Sequence, residues 1–432
     1  MAVTHRSISV AKETTFGSLS TSTNLPDFSS LSYVSIPCER DPILIYGEVV
    51  ASERNDARDG SYFVPPEPDT VFNGSTRQRR RTGTVNIRLD LSTIGSSPAD
   101  YTSNYLGYLL GSGFKTKIPS VASVTASAVT DVNNFAASGY AAADTGTLVS
   151  SIINGAVEYS AITEVSGTDI TVSPAFSALT GTPDFRGLQT WYPGSRDETG
   201  QKEHSLSFRI DGVDFRSYAY GCVMESIAIS LDNGRLMADM TFQAALIQDD
   251  HGNAAGPVEP TYNAGAPPFF RNSYVVVSGA SPSSLTNATT ADALSRIALD
   301  CEDFSLTVTN TLTPLGHSES ILAMSNMEIS DVDVELTLTL TTLNTTINND
   351  YFNRTVRQVL VGTGPQNDGE GCAIMIPAAM LANDPSAYDV SGNDIVRQTL
   401  TYKQSRYAGD VNSAAAYEDN AGNSPLRLAL GI

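Results

Sequence analysis

The sequence predicts a mainly β chain: two related β units, each with a flanking short helix, and a small β insertion in the first. Three observations carry that reading. Apolar residues recur at every second position in many segments, which places them on one face of a strand. A strand followed by a short helix occurs once in each half of the chain with similar spacing. A stretch rich in Ala, Ser, Thr and Gly interrupts the first unit.

The 432 residues suit two or three hydrophobic cores rather than one. An apolar fraction of 41% is enough to fill them. Charged residues make up 17%, against roughly 25% in ordinary soluble domains. Neighbouring subunits are therefore expected to cover part of the surface. Acidic residues number 47 against 26 Lys plus Arg, a net charge of −21. Such a chain repels free duplex DNA and is no candidate for a specific DNA binder. The excess is shared by the residues before and after His251, so it is not an acidic tail. Cys38, Cys222, Cys301 and Cys372 are far apart and form no CxxC or metal-like spacing, which predicts reduced, mostly buried thiols. No segment reads as a signal peptide or membrane span, so synthesis in the cytoplasm without an anchor is expected.

The clearest strand is Thr84 to Ser92, with Val85, Ile87, Leu89 and Leu91 inward and Asn86, Arg88 and Asp90 outward. A helix is predicted next, with Tyr101, Tyr105, Tyr108 and Leu109 as its stripe and Gly111 or Gly113 ending it in the left-handed conformation. The second half repeats the unit. Asp331 to Thr341 alternates without a fault, and the predicted helix has Asn348 or Asn349 as cap, the stripe Phe352, Val356, Val359 and Leu360, and Gly362 at its end. A second correspondence joins Ser226–Asn233 with Asp303–Asn310, and the two together suggest a duplication.

Ser205 to Ile210 and Val213 to Tyr218 read as a hairpin, because Asp211-Gly212 suits a type I′ turn. The boundaries follow: 1–119 with 188–250 as the first unit, 120–187 as the insertion, 251–268 as a Gly/Pro/Ala-rich linker, and 269–432 as the second unit. The Pro-rich and then Arg-rich stretch from Gly47 to Arg81 is expected to be an arm or long hairpin that contacts another subunit.

Catalytic or cofactor chemistry is hard to find, and no cofactor is predicted. The four histidines sit in no HExxH or nucleophile pairing, and the Gly-rich run Gly362–Gly371 lacks the Lys-Ser/Thr of a phosphate loop. Asp331, Asp333 and Glu335 stand about 7 Å apart on one strand face, which reads better as a solvated acidic surface than as a cation site. Arg77, Arg79, Arg80 and Arg81 form the one basic cluster and are expected to pair with carboxylates of an adjacent subunit.

This order resembles the tail tube proteins of long-tailed phages. The segments that carry the likeness are KETTFGSL (Lys12–Leu19), GTVNIRLDL (Gly83–Leu91), GCVMESIAISLDNG (Gly221–Gly234), DFSLTVTNTL (Asp303–Leu312), DVDVELTLTL (Asp331–Leu340), DYFNRTVRQVL (Asp350–Leu360) and AIMIPAAML (Ala373–Leu381). The resemblance implies a β-sandwich with a flanking helix whose copies pair edge to edge in a ring, with rings stacked into a tail. It implies a non-enzymatic virion protein, assembled with itself, a tape-measure protein and terminator or distal tail proteins, through which double-stranded DNA passes without specific binding. Most members carry one tube domain and form hexamers; two copies per chain imply a trimer of pseudo-sixfold symmetry. Asp90, Asp331, Asp333 and Glu335 are then the candidate lumen-lining residues. A capsid decoration or baseplate protein, a polysaccharide hydrolase and a carbohydrate-binding adhesin are the competing readings, and a single tryptophan, Trp191, disfavours the hydrolase.

Overall fold

Alternation becomes sheet where the sequence predicts it. In the computed structural model Arg81–Asp90 and Met324–Leu340 are strands that bury Val85, Ile87 and Leu89, and Val334, Leu336, Leu338 and Leu340. Each such side chain withdrawn from water contributes on the order of 1.5–3 kcal/mol. The structure describes residues 6–18, 31–39, 43–49, 52–56, 60–64, 71–72, 75–76, 81–94, 101–178, 182–194, 201–213, 215–249, 256, 258–260, 262–263, 265, 270, 273–278, 296–316, 324–364, 371–385, 389–391, 395–405, 407, 409–410 and 421–431.

One continuous run of antiparallel strands dominates. Its spatial order is Ile43–Val49, Arg81–Asp90, Arg235–Ala244, Arg216–Asp232, Cys301–Gly316, Met324–Leu340, Ile395–Gln404 and Asp389–Ser391. A second layer covers its apolar face. In the N-terminal half this layer is Val34–Ile36, Ser7–Lys12, Leu206–Asp211, the first part of Arg216–Asp232, and Leu246–Asp249. In the C-terminal half it is Ile297–Ala298, Tyr274–Ser278, Arg357–Thr363, Cys372–Leu381 and Arg427–Gly431. The last of these also pairs with Asp184–Tyr192, which pairs with Lys115–Lys117, so the layer runs back into the N-terminal half. A single apolar core lies between the layers and passes through both halves.

The hairpin formed by Arg216–Asp232 with Arg235–Ala244 and Leu246–Asp249 belongs to both layers because it bends. Gly221 sits at φ 60°, and a Cβ there would meet the Ala245 Cβ and the Phe16 ring at 2.9 Å, so glycine is required on both counts. The buried Glu13 carboxylate holds the bend, accepting from Gly221 N (2.9 Å), Gly17 N (2.8 Å), Ser205 Oγ (2.5 Å) and Ser207 Oγ (2.6 Å).

The helices differ in detail from the sequence expectation. The first, α1 (Tyr105–Gly111), is capped by Asn104, whose side chain accepts from Leu106 N, and Tyr101 belongs to a preceding 3₁₀ turn. It ends at Ser112 in right-handed geometry, so neither Gly111 nor Gly113 provides a left-handed stop. The second, α2 (Thr345–Asn353), starts earlier than predicted, with Asn344 as cap, and stops at Arg354, which takes the left-handed conformation. Val359 and Leu360 therefore lie in the following strand and Phe352 is exposed: the predicted stripe joined two elements. The Asp211–Gly212 hairpin exists, but Asp211 pairs with Arg216, which makes the connection four residues long instead of a two-residue turn.

Residues 120–187 supply the strands Leu148–Ile153, Ala156–Ser166 and Asp169–Ser173 and enclose their own cluster around Phe135, Phe176 and Phe185. Tyr159 docks this unit on the outward face of the C-terminal second layer, among Tyr274, Val276, Leu360 and Met375. From the predicted linker, Asn263 donates to Ser92 O (2.6 Å) and Gly265 N to Thr93 O (3.0 Å).

Candidate functional site

Residues directly opposed in an antiparallel ladder share a face, so the register determines what the large sheet presents on the side away from the core. One row across it reads Arg88, Asp239, Ala228, Thr307, Glu335, Lys403. The next reads Asn86, Thr241, Ser226, Thr309, Asp333. Asp90 and Asp331 have the same parity in their strands, opposite Met237 and Thr311. All four acidic residues singled out in the sequence thus lie on one polar face that spans both halves. Arg81–Asp90 and Met324–Leu340 are four strand steps apart, about 19 Å at the usual strand spacing.

Cations sit within this face. Arg88 lies 2.9 Å from Asp232, 3.4 Å from Asp239 and 3.4 Å from Glu39, and Arg235 joins Glu39 at 3.2 Å. Lys403 lies 3.1 Å from Glu335 and 3.9 Å from Asp333, and these carboxylates push its ammonium above its ordinary value, so it stays charged. Asp90 accepts from Ser92 Oγ at 2.6 Å. Among the described residues the face is mainly short hydroxyls and carboxylates with scattered, paired cations.

Nothing on it resembles a reaction centre. Among the described residues no group of three His, Cys, Asp or Glu is placed to hold a metal ion. His204, half-buried against α1, points Nε2 at Tyr108 O (3.1 Å), and its desolvation lowers its pKa to about 4. An open depression of about 400 Å³ beside Gly234, Phe270 and Asp303 contains the Glu302–Arg397 ion pair (2.6 Å). All four cysteines are free, and burial pushes Cys38, Cys301 and Cys372 up to about 12, so they are inert thiols.

Residues 5–403 match the profile of the phage tail tube protein family, in one span that includes both halves and the insertion. The chain belongs to that family. No curated protein matches it significantly. As a phage tail tube protein it is a structural, non-enzymatic component of the virion tail, and family membership implies self-assembly into a tube.

In this tail tube protein the basic cluster is largely out of view. Arg77, Arg79 and Arg80 fall outside the described residues, and of Arg81 only the backbone is described, opposite Val49 at the start of its strand. Sequence reasoning missed two buried charged sites, Glu13 and the Arg427–Asp410 pair. A single Glu in KETTFG, or an Arg in a C-terminal apolar run, carries no signal of burial.

Proposed function

We propose that three copies of this chain close a ring of six sandwiches with pseudo-sixfold symmetry, that rings stack into the tail tube, and that the polar face lines the channel through which double-stranded DNA passes. The eight-strand run carries this reading. It offers four strands from each half, so three copies give twenty-four, which at about 4.8 Å spacing and about 40° tilt close a barrel of roughly 48 Å backbone diameter.

A rotation about a ring axis preserves strand direction, so strands it relates must be an even number of antiparallel steps apart. Arg81–Asp90 and Met324–Leu340 satisfy this, being four steps apart and each followed by a helix. The remaining pairings support the same duplication. Ser7–Lys12 pairs with Leu206–Asp211 as Tyr274–Ser278 pairs with Arg357–Thr363, and Leu206–Asp211 with Arg216–Asp232 as Arg357–Thr363 with Cys372–Leu381. The correspondence of Ser226–Asn233 with Asp303–Asn310 is set aside, because those strands are immediate neighbours running in opposite directions. The counterpart of Cys301–Gly316 is Ile43–Val49, and that of the second part of Arg216–Asp232 is Asp389–Ser391.

The seam between copies is then a repeat of the seam inside the chain. Ile43–Val49 has one strand partner among the described residues, and Ile45 on it is 50% exposed. In the ring it adds to Asp389–Ser391 of the neighbour, which removes both open edges. The insertion, seated on the outward face of the second layer, decorates the outside of the tube. Arg77, Arg79, Arg80 and Arg81 reach carboxylates of an adjacent subunit. Tape-measure and terminator or distal tail proteins are the further partners. Carboxylates about a Debye length from the phosphates repel DNA weakly and give it nowhere to stick.

Negative-stain microscopy of the purified protein tests the reading. Tubes with a stain-filled channel and trimeric rings are expected; a monodisperse monomer at every salt and concentration would sink it.

A further inference from the structure

We propose that the exposed apolar surface on α2 and its flanking turns, Leu343, Phe352 and Val356, is the seat of the next copy of the chain around the ring. The proposal rests on the ring reading above and assigns a surface to it.

The two helices occupy the same place in their halves, each between the strand on the large sheet and the next strand of the second layer. Their surroundings differ. The apolar side chains Tyr105, Leu106, Leu109 and Leu110 of α1 are all buried. Lys115–Lys117, just after it, joins Asp184–Tyr192 and through that strand the C-terminal Arg427–Gly431. Just before it, the Tyr101 hydroxyl donates to Gly431 O (3.1 Å). So α1 stands where one half meets the half that follows it.

Among the described residues α2 packs on Cys372–Leu381 of its own half. Its inner side is firmly set: Ile347 is buried, the Asp350 carboxylate takes two hydrogen bonds from Arg357 (2.7 and 2.8 Å), and Asn344 N donates to Gln398 Oε1 (3.0 Å). Around it three apolar side chains are open to solvent, Phe352 at 66%, Leu343 at 46% and Val356 at 39% exposed, among the exposed polar residues Thr346, Asn349 and Asn353. Ten large apolar side chains are exposed among the described residues, and three of them fall within these fourteen positions. Single exposed apolar residues are ordinary, but several in one short segment suit a contact with another surface. Rotation of the N-terminal arrangement onto the C-terminal half brings the next copy to this spot. A lateral neighbour thus stands beside α2 as the C-terminal half stands beside α1.

The test uses the full chain with Phe352→Asp and Val356→Asp, separately and together, compared with wild type by sedimentation and negative stain. Both side chains already face solvent, so the variant monomers should keep the wild-type melting temperature. The expected result is that half-assembly needs about tenfold more protein or beyond, as follows from losing burial of a large apolar group. A polarity-sensitive dye on Phe352→Cys should shift to the blue as rings form. Wild-type assembly by both variants together with an unshifted dye overturns the proposal and leaves the ring intact. Normal trimeric rings that no longer stack overturn the lateral assignment in favour of a ring-to-ring contact. Failure of the wild-type chain to form rings overturns the ring reading itself and this inference with it.

Discussion

The guanidinium of Arg427 and the carboxylate of Asp410 lie 2.9 Å apart, and neither side chain reaches solvent. Arg427 also donates to Ala421 O (2.9 Å) and Gly422 O (3.1 Å), which ties the last strand to the segments before it. A buried charge deprived of its partner is costly, whereas removing both charges is not. Arg427→Met should therefore lower stability by about 3–5 kcal/mol in urea unfolding, and Arg427→Met with Asp410→Leu should recover much of that loss. A single variant within about 1 kcal/mol of wild type would contradict the burial described.

Tyr159 secures the insertion to the C-terminal half, its hydroxyl donating to Thr363 O (2.8 Å) and Gly364 O (3.0 Å). Its ring lies where a Cβ on Gly362 would come within 2.1 Å, so even alanine forces the ring to move. Gly362→Ala should cost about 1–3 kcal/mol and expose residues 120–187 to limited proteolysis before the rest of the chain. Equal protease resistance would show that the contact is dispensable.

The unassembled chain should lose stability as pH falls from 7 to 4. His204 has a folded pKa of about 4 against 6.5 unfolded, because burial and then Lys12 disfavour its charged form. Between those values the unfolded chain takes up a proton that the folded chain refuses, so up to about 3 kcal/mol is lost on acidification. Glu13 acts in the opposite sense: burial raises its folded pKa, so its contribution falls as pH rises above 4.5. Melting temperatures of wild type and His204→Gln from pH 7 to 4 separate the two, with a shallower decline expected for the variant.

Lysine at Asp331, Asp333 and Glu335 should leave tubes able to form. Asp331→Lys, at an exposed position, should change stability by no more than about 0.5 kcal/mol. Glu335→Lys should cost more, on the order of 0.5–1 kcal/mol, since it faces Lys403 directly across the ladder. If this face lines the channel, the triple variant slows DNA ejection from reconstituted particles. Ejection at the wild-type rate would place these residues elsewhere.

Much of the fold was legible because a half-buried strand writes its period into the sequence. The alternation of Thr84–Ser92 and Asp331–Thr341 needed nothing further, and the polar parity of Asp90, Asp331, Asp333 and Glu335 followed from it, although the second strand begins as early as Met324. The end of α2 was not legible: Val356, Val359 and Leu360 satisfy a helical spacing, yet a left-handed Arg354 stops the helix and the apolar run continues as strand. Strand adjacency was hidden too. Ser226–Asn233 and Asp303–Asn310 look alike because both lie on one sheet facing one solvent, and shared surroundings imitate common descent.

The ladder between Ser226–Ser230 and Ser305–Thr309 has a kinetic consequence for the proposed ring. Three of its six seams are made as each chain folds, at the high effective concentration of a tethered pair, before any two chains meet. Closure then needs the encounter of three bodies instead of six, and nucleation depends correspondingly less steeply on protein concentration. A ring that miscounts must gain or lose two sandwiches at once. In the proposed ring a pentamer or heptamer of sandwiches, the smallest error open to a one-domain subunit, has no counterpart.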